Sequence, residues 1–186
     1  MPLKPIVLCE GDHDRCLIED VLRKKFKIVR IVIAKSIEEV YKFSRRKRGE
    51  FIVYVVGGKP RIYRALNILS SQLLRNRFLK TLCVVIDENL ERPMERIPEL
   101  LRNYLASRFA KEAIEMVKDK HSFTLSYRGF GLRIWVITIP KSLEKQVEAV
   151  VGSREINYCK LDYSKLFGDR GWFKELVEAL NSTIRG

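Results

Sequence analysis

The chain has 186 residues, of which 36 are Lys or Arg and 23 are Asp or Glu, so its formal net charge at pH 7 is +13. Hydrophobic residues make up 46% of the chain and aromatic residues 10%, which excludes wholesale disorder, because disordered chains combine high charge with few apolar residues. No apolar run approaches the ~18 residues of a membrane-spanning helix. The apolar stretch near the start, Ile6–Cys9, is too short for the core of a signal peptide, so we expect a cytoplasmic protein that does not enter a membrane.

The positive charge favours a polyanionic partner, above all nucleic acid. Charge alone leaves another interpretation open, since a surface rich in Lys, Arg and Glu is also typical of thermophile proteins. On that interpretation the chain is a protein-interaction or structural domain whose charge reflects thermal adaptation.

The first part of the chain alternates between strand and helix patterns. Strands are predicted over residues 4–9, 28–34, 51–56 and 81–86. Helices are predicted over residues 14–26, after the capping pattern at Ser36 and Glu39, along an apolar stripe that begins at about Pro60, and over about 97–118. Such alternation predicts an α/β fold, a Rossmann-like parallel sheet with helices on both faces.

The pattern changes near residue 120. Residues 123–127 and 130–139 flank Arg128-Gly129, which predicts a β-hairpin. Two helices follow, over about 141–151 and 171–184. We therefore predict one domain over 1–186, with a core over 1–120 and a C-terminal extension of hairpin and helices over 121–186.

The four cysteines, Cys9, Cys16, Cys83 and Cys159, are widely spaced and form no C-x-x-C pair. This spacing supports neither a zinc ribbon nor a thioredoxin motif nor a dense disulfide framework. Because free cysteine packs as a small apolar side chain, we expect buried, reduced thiols.

Two predicted strands end in clusters of acidic residues. Glu10, Asp12 and Asp14 follow the first strand, and Asp87, Glu88 and Glu91 follow the fourth. Ligands of parallel sheets collect beyond the carboxyl ends of the strands, so the two clusters are expected to meet there. Converging carboxylates repel unless a cation neutralises them, and their oxygens suit Mg²⁺ or Mn²⁺. The alternatives are helix capping for Glu10 and Asp14, and a solvated turn at the second cluster.

The order of these motifs resembles the Toprim domain. The resemblance rests on E-G-x-x-D (Glu10, Gly11, Asp14) after an apolar strand, on Gly57-Gly58 closing an intermediate strand, and on an apolar strand closed at the D-x-D position (Asp87, Asn89). It covers about residues 4–92 and extends by element order to about 120. Toprim domains occur in topoisomerases, primases, OLD-family nucleases and small ribonucleases, so the resemblance implies Mg²⁺-dependent phosphodiester chemistry on DNA or RNA. A small nuclease is expected, because the chain has no room for the gate domains of a topoisomerase.

The resemblance also implies roles for single residues. Glu10 would move a proton at the scissile phosphate, Asp87 and Asp14 would hold the metal with help from Asn89 and Glu91, and Gly11 would let a phosphate approach the backbone. The second acid of the family's D-x-D motif is replaced by Asn89, and the glycine beyond it by Arg92. These departures leave open a nucleic-acid-binding or adaptor module whose site is degenerate.

Glu144 follows a late predicted strand, where small Toprim proteins similarly carry an acid. It is a weaker candidate, and an exposed glutamate in the first turn of a helix is the alternative. His13 lies inside the first acidic cluster, where a surface position is the expectation.

Two groups of basic residues could bind a phosphate backbone. Arg45, Arg46, Lys47 and Arg48 form the densest basic tract, and Lys59, Arg61 and Arg64 lie on or before the third helix. The sequence around Lys59 lacks the upstream glycine of a P-loop, so that motif is rejected. A solvated surface is the alternative for each of these side chains.

Overall fold

Buried β-branched strands and the amphipathic helices between them build one α/β sheet structure. The computed structural model describes residues 5–45, 50–76, 81–88, 92–109, 114–152 and 155–185. The strands are β1 (Ile6–Cys9), β2 (Ile31–Ala34), β3 (Phe51–Val55), β4 (Thr81–Asp87), β5 (Ile114–Lys118), β6 (Ser122–Tyr127) and β7 (Phe130–Ile139). The helices are α1 (Asp12–Phe26), α2 (Ile37–Ser44), α3 (Lys59–Asn76), α4 (Pro93–Ala106), α5 (Leu143–Val151), α6 (Tyr163–Phe167) and α7 (Gly171–Arg185), with a 3₁₀ helix at Tyr158–Lys160.

The seven strands lie in the order β2-β3-β1-β4-β7-β6-β5. The first five of these are parallel to their neighbours, whereas β5, β6 and β7 pair antiparallel. The predicted Rossmann-like α/β fold is therefore confirmed. The strands beyond residue 120 continue the same sheet, and the whole length of β4 pairs in parallel with β7.

Apolar side chains from both faces of the sheet form two cores. Helices α2, α3 and α4 cover one face, where the predicted stripe of α3 is buried. Helices α1, α5, α6 and α7 cover the other. Since strands covered on both sides carry apolar residues at every position, β1 and β4 appear in the sequence as continuous apolar runs.

Most predicted elements match the structure, and one is wrong. The helix expected over about 97–118 is instead α4, which begins at Pro93 and ends at Ala106, and residues 114–118 form β5 at the edge of the sheet. Local sequence favoured helix there because the apolar spacing is ambiguous. Pairing with β6 decided the outcome, since it satisfies the backbone hydrogen bonds of Ile114–Lys118.

The expectation of four reduced thiols is also wrong in part. Cys9 and Cys83 are free and buried as predicted. Cys16 and Cys159, however, form a disulfide, because α1 packs against the 3₁₀ helix and brings the two Cα atoms to 4.7 Å. Every helix within the described ranges is too short or too polar to traverse a lipid bilayer.

Candidate functional site

The carboxyl ends of β1, β4 and β7 lie side by side at one edge of the sheet. Glu10 follows β1, Asp87 is the last residue of β4, and α5 begins shortly after β7. The strand order reverses between β1 and β4, since β3 and β2 lie on one side of β1 and β4 and β7 on the other. In open α/β sheets this reversal leaves a crevice in which ligands bind.

Glu10 and Asp87 meet across this crevice. One oxygen of the Glu10 carboxylate, Oε1, accepts a hydrogen bond of 2.9 Å from the backbone N–H of Asp87. The two carboxyl groups therefore lie within about 7 Å of each other, as the bond lengths within one residue dictate. The expectation that the two acidic clusters converge at one edge is met for these two residues.

Asp14 lies beneath them in the first turn of α1. Its side chain is buried, and Oδ2 accepts a 3.0 Å hydrogen bond from the backbone N–H of Gly11. Burial, and after it the charge of Asp87, raises the pKa of Asp14 to about 8, although the bond from Gly11 opposes the rise. Asp14 thus caps its helix, as the alternative interpretation expected, and also contributes a carboxyl group to the cluster. The N–H of Gly11 is engaged by Asp14.

The start of α5, which follows β7, contacts the side chain of Asp87. Its Oδ1 accepts a hydrogen bond of 3.2 Å from the backbone N–H of Leu143, the first residue of α5. Desolvation raises the pKa of Asp87 to about 6, with contributions from Glu10 and Glu144 that exceed the lowering by Leu143 and Lys59. These carboxyl groups therefore repel one another.

Glu144 completes the group at the start of α5. It is half-buried, and its Oε1 lies 2.7 Å from Nδ1 of His13. Burial opposes ionisation, but the bond with His13 and the bonds at the start of α5 lower the pKa of Glu144 below its usual value. The ring of His13 stacks on Tyr158, with centroids 3.8 Å apart and planes inclined by 16°. We call Glu10, Asp14, Asp87 and Glu144 the carboxylate cluster.

Two glycines and a lysine border the cluster on the β3 side. The backbone N–H groups of Gly57 and Gly58 both donate to the carbonyl oxygen of Glu10, at 2.9 and 3.0 Å. Both glycines have positive φ, at 78° and 118°, which a side chain would strain. Nζ of Lys59 lies 3.4 Å from the carbonyl oxygen of Glu88, and its charge lowers the pKa of Asp87. A positive group therefore lies beside the carboxylate cluster.

Asp14 and Asp87 offer carboxylate oxygens, the donors that a hard divalent cation prefers. Among the described residues, no three His, Cys, Asp or Glu side chains stand close enough together to enclose a metal ion. Proteins usually hold Mg²⁺ through one or two carboxylates, completed by water and substrate phosphates. Burial and mutual repulsion raise the pKa of both Asp14 and Asp87, and a cation between them would relieve that repulsion. The residues present therefore suit Mg²⁺ or Mn²⁺.

The remaining predicted residues divide between the two edges of the sheet. Arg61 and Arg64 are exposed on the first turns of α3, on the side of the carboxylate cluster. Arg45 follows the end of α2, next to the edge where the strands begin, and so lies at the opposite end of the sheet. Asn89, Glu91 and the tract Arg46, Lys47 and Arg48 lie outside the described residues.

Sequence reasoning missed the contact that joins His13, Glu144 and Tyr158. His13 was expected at an ordinary surface position, and Tyr158 carried no motif. Their proximity depends on α1, α5 and the 3₁₀ helix packing together over a sequence separation of 131 residues between His13 and Glu144. No local pattern carries that information; the acid after a late strand was the only signal.

Comparison of the chain with protein-family models, with curated proteins and with solved structures finds no match. The resemblance to Toprim domains therefore stays a prediction from the motifs.

Proposed function

We propose that this chain is a small Toprim-like nuclease that hydrolyses phosphodiester bonds of DNA or RNA with Mg²⁺ or Mn²⁺. One observation supports the proposal most: the carboxylate cluster occupies the crevice where the strand order reverses. The pKa values of two of its members, Asp14 and Asp87, are raised by burial and by neighbouring carboxylates, and a bound cation would favour their ionised forms. The net charge of +13 favours a polyanionic substrate. The carboxylates at the crevice would bind that substrate through a metal ion.

Each carboxylate has a role in this proposal. Asp87 and Asp14 would hold the cation. One oxygen of Asp87 accepts the hydrogen bond from Leu143 and one oxygen of Asp14 accepts that from Gly11, and the other oxygen of each carboxylate would be the ligand. When bound, the cation supplies polarisation of a phosphoryl oxygen and stabilises charge in the transition state. The carboxylate of Glu10 accepts a hydrogen bond from the N–H of Asp87, and it would accept or donate the proton at the scissile phosphate.

The substrate backbone would follow the basic residues near the cluster. Lys59 and the exposed Arg61 and Arg64 lie on α3, next to the glycine turn. Binding through such side chains releases counterions, so affinity should fall steeply with salt. Arg45, at the far end of the sheet, would contact only a long substrate.

The test is a cleavage assay on single- and double-stranded DNA and RNA with Mg²⁺ or Mn²⁺. Glu10→Gln and Asp87→Asn should each lower the rate by about 10² or more, since removing a positioned proton donor or a charge-stabilising group costs that much. Glu88→Gln is the matched control, because Glu88 is exposed and adjacent to Asp87. Cleavage that persists in both cluster variants contradicts the assignment.

A second candidate function is nucleic-acid binding without catalysis. Two observations favour it: Asn89 and Arg92 replace residues of the motif, and no three potential ligands among the described residues enclose a metal position. Salt-sensitive binding without cleavage under any of these conditions would support this candidate over the nuclease.

A further inference from the structure

An open groove of about 510 Å³ lies beside the carboxylate cluster. One wall is the first turns of α1, and the other is the segment 155–159. The disulfide between Cys16 and Cys159 joins the two walls. His13 lines the groove and contacts Glu144, so the groove and the cluster share a boundary.

The charge of the groove argues against a phosphate as its occupant. Asp12 and Glu155 contribute two exposed carboxylates. The guanidinium of Arg15 donates to Asp12 at 2.9 Å and to Glu19 at 2.6 Å, so these three side chains together remain negative, and Glu155 adds a further negative charge. An occupant that is neutral and carries N–H donors would suit these walls better than an anion.

The shape and the aromatic content of the groove fit a planar ring. Tyr158 is half-buried and stacks on His13, so this wall of the groove carries two parallel rings. Nucleobases bind proteins by stacking on aromatic side chains of this kind. The volume lies within the range of small-molecule sites and admits a base with its sugar.

We propose that the groove binds an unpaired nucleobase next to the phosphate that reaches the carboxylate cluster. The inference rests on the proposed function for the position of that phosphate, and it adds the substrate class: single-stranded nucleic acid. The base stacks against the His13–Tyr158 wall while Asn157 and Glu155 face its polar edge. Because Glu155 only accepts hydrogen bonds when ionised, bases with an amino group should bind better than thymine.

Fluorescence anisotropy with labelled oligonucleotides tests the proposal without requiring cleavage. In EDTA and low salt, the protein should bind oligo-dC more tightly than oligo-dT. Its affinity for a duplex of the same length should not change when Tyr158 is substituted. Tyr158→Ala should weaken single-strand binding by about tenfold, the order of one lost base stack. Tyr158→Phe should retain binding because it keeps the ring. Glu155→Gln should reduce the preference for dC over dT.

Tyr127→Ala is the matched control, since Tyr127 lies at the hairpin at the other end of the sheet. Wild-type affinity of Tyr158→Ala for single strands would overturn the proposal, as would tighter binding of oligo-dT than of oligo-dC. A chain that binds as expected but never cleaves contradicts the nuclease and supports the groove. A chain that cleaves single strands and duplexes equally, with no effect of Tyr158→Ala, supports the nuclease and contradicts the groove.

Discussion

Asp14→Asn should stabilise the protein at pH 8 and leave its stability at pH 4 unchanged. Asp14 is the buried member of the carboxylate cluster, and its pKa is raised from 3.8 to about 8. Between these two values the folded chain holds a proton on Asp14 that the unfolded chain has lost. Stability therefore falls as the pH rises through this window. Asparagine has no such proton to lose, and its side-chain oxygen can still accept the hydrogen bond from Gly11.

The size of the effect follows from the two pKa values. Their difference is 8 − 3.8 = 4.2, and each unit corresponds to about 1.4 kcal/mol. At pH 8 the variant should therefore gain on the order of 5 kcal/mol in free energy of unfolding. For a chain of this length the melting temperature should rise on the order of 10 °C.

Thermal and urea unfolding between pH 4 and pH 8, in EDTA, measure this difference. Asp169→Asn is the control, because Asp169 is an exposed aspartate outside the carboxylate cluster. Mg²⁺ should raise the melting temperature of the wild type at pH 8 and raise that of Asp14→Asn less. Parallel pH profiles of the wild type and Asp14→Asn would refute the argument that Asp14 is a buried, uncompensated carboxylate.

Three further predictions concern stability. Gly58→Ala should cost about 1–3 kcal/mol in urea unfolding, because φ is 118° there, and it should lower the proposed nuclease activity more than the turn variant Gly129→Ala does, where φ is 76°. A reductant should lower the free energy of unfolding of the wild type by about 2–4 kcal/mol, since the disulfide between Cys16 and Cys159 closes a loop with a sequence separation of 143. An unchanged melting temperature of the reduced wild type would contradict the disulfide, as would an equal effect of the reductant on Cys159→Ser. Leu8→Ala should cost about 2–5 kcal/mol in chemical denaturation, as Leu8 is fully buried in β1, an interior strand, and a loss below 1 kcal/mol would contradict the packing described for β1.

The sequence by itself determined the α/β class and most of its elements. Strands such as Thr81–Asp87 are buried on both faces, so their apolar runs are visible without any tertiary information. The cap of α2 at Ser36 was equally visible, because the bond from the N–H of Glu39 to the Ser36 hydroxyl is local. The edge strand Ile114–Lys118 was not, since its conformation depends on pairing with β6 rather than on its own residues.

The same division holds for the candidate site. Glu10 and Asp87 could be predicted, because each comes at the end of an apolar run and parallel strands end at one edge of a sheet. The raised pKa of Asp14, the contact of His13 with Glu144, and the disulfide between Cys16 and Cys159 could not. Each depends on burial or on contact between segments more than 70 residues apart, as the coupling of Asp14 to Asp87 illustrates. Only the packing of α1, α5 and the 3₁₀ helix on one face of the sheet brings those groups together, and with them the groove beside the carboxylate cluster.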